Sequence, residues 1–139
     1  MTWLEKQEAL IDMLDFAGEL HGTMETIVAY GEELPRMWDG YRNPENLLQG
    51  CISVTYFVCE QTHEGLLHIE GESNSSVLRG VIYFLRDLLN GERVEDVDTE
   101  KITWHKQCGL MSHLTPQRQG AVLQMIKRIE HAVGGNDQT

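Results

Sequence analysis

Basic residues are scarce in this chain, with 11 Lys and Arg against 22 Asp and Glu and a formal net charge of −11 over 139 residues. Such a surface repels phosphate backbones and anionic lipid and attracts partners with basic patches, which sets aside nucleic acid and membrane surfaces. Long apolar runs are missing too: charge interrupts each within about ten residues, short of the roughly 20 that cross a bilayer. Glu5, Glu8 and Asp12 lie where a secretory signal would be basic. The expectation is a cytoplasmic protein with no membrane span. Only three cysteines occur and no CxxC pair, which excludes a disulfide framework, fits a reducing compartment and raises the question of which thiol reacts. No glycine-rich phosphate loop is present, since Gly71-Glu72-Ser73-Asn74 is acidic and reads as a helix-starting turn. His21, His63, His68 and His131 are scattered with no triad-like grouping.

What is present is an ordinary globular composition, 41% hydrophobic and 24% charged, enough for one domain over residues 1–139. Leu4, Leu10, Ile11 and Leu14 predict a helix over 3–16, and Met24, Ile27, Val28 and Leu34 a second that Pro35 stops. Residues 36–50 read as a long ordered loop, a kind of segment that often carries function. Two antiparallel strands are predicted over 51–59 and 66–71, joined by the polar Gln61-Thr62-His63-Glu64-Gly65. No third strand is placed. Val77, Val81, Phe84, Leu85 and Leu88 mark the main core helix, stopped at Asn90-Gly91. One or two short helical pieces are expected over 94–108. Thr115-Pro116 then opens a last helix with a stripe of Val122, Met125, Ile126, Ile129 and Val133, before Gly134-Gly135 and a disordered tail. Grouped strands and grouped helices predict an α+β fold, an antiparallel sheet covered by helices.

Among the thiols, Cys51 stands out because it follows Gly50 where a polar, turn-prone segment enters a strand-like run, placing it at a loop tip. Its plain local reading is a small hydrophobe at a strand start. Cys59, at the far end of that strand, would lie about 26 Å away if the strand were continuous, too far for a shared metal or a disulfide, and is expected to be structural. His105 and Cys108, three apart, would share a helix face as half of a zinc site. With Cys51 they form the alternative reading, a metal- or cluster-binding scaffold. A cysteine hydrolase would need His105 or His113 as a base beside Cys51.

Leu34-Pro35 through Gly50-Cys51, Gly71-Glu72-Ser73, Val77-Leu78-Arg79-Gly80, Leu89-Asn90-Gly91 and His113-Leu114-Thr115-Pro116-Gln117-Arg118, taken in this order and spacing, closely resemble the SufE family of cysteine desulfuration proteins over most of the chain. The resemblance implies a SufE and iron–sulfur scaffold-like fold and a sulfur acceptor in iron–sulfur cluster assembly. Cys51 would be the carrier, Gln49 and Gly50 would shape its loop, and Arg118 would contact the partner. That partner would be a pyridoxal-phosphate-dependent cysteine desulfurase, which the protein would also stimulate. A downstream scaffold or other acceptor would receive the sulfur, with no cofactor or metal held by the chain itself. The family buries this cysteine until a partner draws the loop out.

An ordinary thiol with a pKa of about 8.5 is only about 3% thiolate at pH 7, so a cation such as Arg118 or Arg42, or the partner's site, is expected to assist. The chain departs from the family after the cysteine, where Gln-Ser-x-Val-Trp is usual and Ile52-Ser53-Val54-Thr55-Tyr56 stands here. Gln119-Gly120-Ala121 likewise replaces the usual Ser-Asn-Gly. Both differences bear on partner choice more than on sulfur chemistry.

Overall fold

The computed structural model describes residues 1–20, 22–50 and 52–134; Cys51, His21 and the tail from 135 onward lie outside the described residues. Thr2 and Glu5 start the first helix as a reciprocal cap. The Glu5 N–H donates to Thr2 Oγ1 at 3.1 Å, and the Thr2 N–H donates to the Glu5 carboxylate at 2.8 Å. Helix α1 then spans Trp3–Leu20, past the expected end at residue 16. It buries Trp3, Gln7, Leu10, Leu14 and Ala17 along one stripe.

Helix α2 covers Thr23–Gly31 and ends four residues before Pro35, the expected stop. Proline biases only the residue before it, so it cannot set an end that far upstream. The last turn unwinds instead through i to i−3 bonds, from the N–H groups of Glu32, Glu33 and Leu34 to Ala29, Tyr30 and Gly31.

Strand β1 (Thr55–Gln61) pairs antiparallel with β2 (Leu67–Ser73), in register from Thr55 opposite Ser73 to Gln61 opposite Leu67. Gly65, with φ of 80°, turns the hairpin. The alternation in β2 is strict: Leu67, Ile69, Gly71 and Ser73 are buried, and the residues between them are half-exposed. Helix α3 (Ser76–Leu89) is capped by Ser75 Oγ, which accepts from the Leu78 N–H at 3.3 Å. It is buried on more faces than the five-residue stripe predicts, adding Leu78, Ile82 and Leu89, because β2 and α2 pack on different sides of it.

Over 94–108 there are three short pieces where one or two were expected: two 3-10 turns, Val94–Asp96 and Thr99–Lys101, and the one-turn helix α4 (Trp104–Gln107). Gln7 ties them to α1, donating to the Lys101 carbonyl at 2.8 Å and accepting from the N–H groups of Thr103 and Trp104. Helix α5 (Pro116–Val133) has Thr115 as its cap and lies against β1. The fold is α+β, with a two-stranded sheet among the described residues. No described helix is long and apolar enough to cross a membrane.

Candidate functional site

The stretches on either side of residue 51, 47–50 and 52–56, are tied to each other and pinned from outside. Leu47 bridges to Tyr56, and the Leu48 N–H donates to the Thr55 carbonyl at 2.9 Å. On the returning side, the Val54 N–H donates to Asn74 Oδ1 and the Asn74 N–H donates to the Val54 carbonyl, each at 3.1 Å. The buried hydroxyls of Thr55 and Ser73 lie 2.7 Å apart just below.

This geometry corrects the strand expected from residue 51: β1 begins at Thr55. Its partner ends at Ser73, because Ser75 is committed to capping α3, so residues 52–54 have no strand to pair with among the described residues. Their alternating pattern resembles a strand, yet Ile52 is 84% exposed and Val54 51%. The spacing that separated Cys51 from Cys59 by a continuous strand therefore loses its premise.

On the departing side, both main-chain groups of Gln49 are taken by one side chain from α5. The Gln49 N–H donates to Gln124 Oε1 at 3.0 Å, and Gln124 Nε2 donates to the Gln49 carbonyl at 2.6 Å. One turn further along, Arg128 Nη1 donates to the Phe57 carbonyl at 2.7 Å and Nη2 to the Leu47 carbonyl at 3.5 Å. Burial pulls the Arg128 pKa down, and the carbonyls offset that desolvation with charge-assisted bonds. Neither residue was singled out by sequence, since a glutamine and an arginine on a helix carry no signal until the tertiary fold sets them beside the loop. Gly50 has φ of 70° and open space around a hypothetical Cβ, so backbone conformation alone calls for glycine there.

The expected cations divide. Arg42 is committed to acids: its guanidinium pairs with both oxygens of Glu72, and Glu72 holds its pKa above the usual arginine value. It also approaches Asp39 at 3.7 Å and lies 5.7 Å from the Tyr56 ring centroid. Arg118, half-buried in the first turn of α5, gives its main-chain N–H to Thr115 Oγ1, and its guanidinium forms no ion pair among the described residues.

Cys59 and Cys108 are both packed against the core. Burial, with Glu60 adding to it, pushes the Cys59 thiol up to about 12. Cys108 is also raised, first by burial, and its sulfur lies 3.9 Å from the His105 carbonyl. His105 is 2% exposed, its Nδ1 has no hydrogen-bond partner among the described residues, and burial lowers its pKa to about 4. His113 is exposed, with Nδ1 3.0 Å from the Gly109 carbonyl. No group of three His, Cys, Asp or Glu among the described residues could hold a metal ion; the Cys51 member of the set with His105 and Cys108 lies outside them. A groove of about 800 Å³ runs between α5 and β1, lined by Cys59, Gln124, Lys127, Arg128 and His131 among others.

A family model described as SufE, an Fe-S metabolism associated domain, matches residues 8–133. Among solved structures, the solution structure of a hypothetical protein from Thermus thermophilus is similar with a TM-score of 0.67. That match has 16% identity and covers 94% of this chain and 97% of the other, a likeness of fold.

Proposed function

From a chain that belongs to the SufE family, a domain associated with Fe–S metabolism, we propose a sulfur acceptor and carrier that works as a single domain over residues 1–139. It takes persulfide sulfur onto Cys51 from a pyridoxal-phosphate-dependent cysteine desulfurase, stimulates that enzyme by relieving it of sulfur, and delivers the sulfur for iron–sulfur cluster assembly in the cytoplasm. The Cys51 thiolate attacks the outer sulfur of the desulfurase persulfide. A new S–S bond forms at Cys51, the old S–S bond breaks, and its electron pair leaves on the desulfurase thiolate. A downstream thiol accepts the sulfur by the same exchange, so no net oxidation or reduction occurs in either transfer. Gln49 and Gly50 shape the loop, and Arg118 contacts the partner.

The observation that carries this reading is the state of the other two thiols. Burial raises the pKa of both Cys59 and Cys108, so each remains a thiol near neutral pH and is a poor nucleophile. Cys51 is the remaining cysteine, and the described stretches before and after it are pinned by Gln124 and Asn74. Incubation with a cysteine desulfurase and cysteine, followed by alkylation and mass mapping, is expected to add one sulfur atom to Cys51. Cys51→Ser is expected to accept none. Sulfur on Cys59 or Cys108 instead, or on no cysteine with several desulfurases, would remove this assignment.

A further inference from the structure

Gln124 makes an unusual use of a helix-surface glutamine. It does not belong to the buried stripe of α5, which Ala121, Val122, Met125 and Ile129 supply. Its amide instead satisfies both the N–H and the C=O of Gln49, at 3.0 and 2.6 Å. Only one orientation of the amide does this, because the carboxamide oxygen must face the N–H and the nitrogen the carbonyl. A single hydrogen bond would leave the Gln49 peptide units free to swing about it, whereas two opposed bonds fix them against the helix. Arg128, four residues on and hence on the same face of α5, grips Leu47 two residues earlier in the same stem.

Arg118 lies at the start of that helix, about 9 Å from Gln124 along the axis at 1.5 Å per residue. One rigid element thus carries the expected partner contact and the anchor of the segment leading into Gly50 and Cys51.

We infer that Gln124 is a positioning residue for sulfur transfer, setting the point on α5 from which the chain departs toward the acceptor cysteine. This rests on the reading of Cys51 as the acceptor. Transfer between two thiolates demands a near-linear approach of three sulfurs, and small misplacements of reacting atoms cost large factors in rate. The role belongs to the transfer step and not to docking, because Gln124 acts on the protein's own main chain.

The test is single-turnover transfer from a persulfide-loaded cysteine desulfurase, followed as a function of the concentration of this protein, alongside hydrogen exchange at the Gln49 amide. Gln124→Ala is expected to lose protection at Gln49 and to lower the maximal transfer rate by about tenfold, with the half-saturating concentration unchanged. Gln124→Glu keeps an acceptor for the Gln49 N–H but has no donor for its carbonyl, and its rate is expected to fall between the two. Leu123→Ala, a neighbouring exposed position, controls for α5 itself and should behave as wild type.

A Gln124→Ala protein that loses Gln49 protection yet transfers at the wild-type rate would overturn the inference. So would a raised half-saturating concentration at an unchanged maximal rate, which would make Gln124 a partner contact. Wild-type protein that accepts no sulfur on Cys51 would remove the underlying reading and this inference with it, a result readily told apart from either.

Discussion

His105 Nδ1 and the neighbouring Trp104 indole nitrogen are both buried without hydrogen-bond partners among the described residues, a state that makes this corner of the core sensitive to protons. Burial, with Lys106 adding to it, lowers the imidazole pKa from 6.5 to about 4. The unfolded chain therefore takes up a proton at a higher pH than the folded one. The contribution of neutral His105 to stability is complete above pH 6.5 and is lost as pH falls from there toward about 4. Urea unfolding between about pH 7 and pH 4.5 is expected to show a loss of about 1–2 kcal/mol from this residue, after allowance for partial solvent screening. A His105→Leu variant should lack that part of the slope whatever its absolute stability. An identical slope in the variant would mean that His105 does not resist protonation in the folded state. The same burial logic applies to the two described thiols, since desolvation holds Cys59 and Cys108 protonated.

At the scale of elements, α2 and α3 approach each other backbone to backbone at Gly31 and Gly80. A Cβ on Gly80 would overlap the Ile27 carbonyl oxygen, and one on Gly31 would lie 2.6 Å from the Gly80 nitrogen. Backbone cannot move aside as a flexible side chain can, so Gly80→Ala is expected to destabilise by about 3 kcal/mol in urea unfolding, at the upper end of overpacking costs. Gly120→Ala in α5, with open space around it, is expected to stabilise by about 0.5–1 kcal/mol through helix propensity alone. Equal effects at the two positions would refute the close-packing account.

Elements of this kind were legible in sequence where one local rule governed them. Thr115-Pro116 marked the start of α5, Asn90-Gly91 the end of α3, and Gly65 the hairpin. The start of β1 was not, because alternation at Ile52-Ser53-Val54 looks the same whether or not a partner strand exists, and the partner ends at Ser73. The end of α2 was missed because an unwinding turn precedes Pro35. Around the candidate site, Gln49, Gly50 and Arg118 are expectations that come from the order of motifs. Gln124, Arg128 and Asn74 could not be named that way, since each bonds to residues at least 20 positions away in the chain. Arg42 was named for a free positive charge that Glu72 takes up, a pairing visible only once β2 lies beside the 39–42 turn.

For the whole molecule, charge sets the terms of encounter. With 22 acidic side chains against 11 basic ones, the field around the protein is negative at a distance. Arg42, Arg36 and Arg93 are each paired with a carboxylate, which leaves few cations to soften that field. A partner that approaches quickly must present a basic patch, and the attraction between two such surfaces decays over a Debye length of about 10 Å at 0.1 M salt and about 3 Å at 1 M. On the proposed function, transfer of sulfur to Cys51 at sub-saturating protein is therefore expected to slow by about tenfold or more between 0.05 and 0.5 M NaCl. The maximal rate at saturation should stay nearly constant, because the exchange between two thiolates takes place after contact, where bulk screening has little reach. Kosmotropic and inert salts at equal ionic strength should act alike if the effect is screening. A rate insensitive to salt at low protein concentration would mean that encounter depends on the exposed apolar residues Ile52 and Val54 beside the cysteine and not on the molecule's net charge.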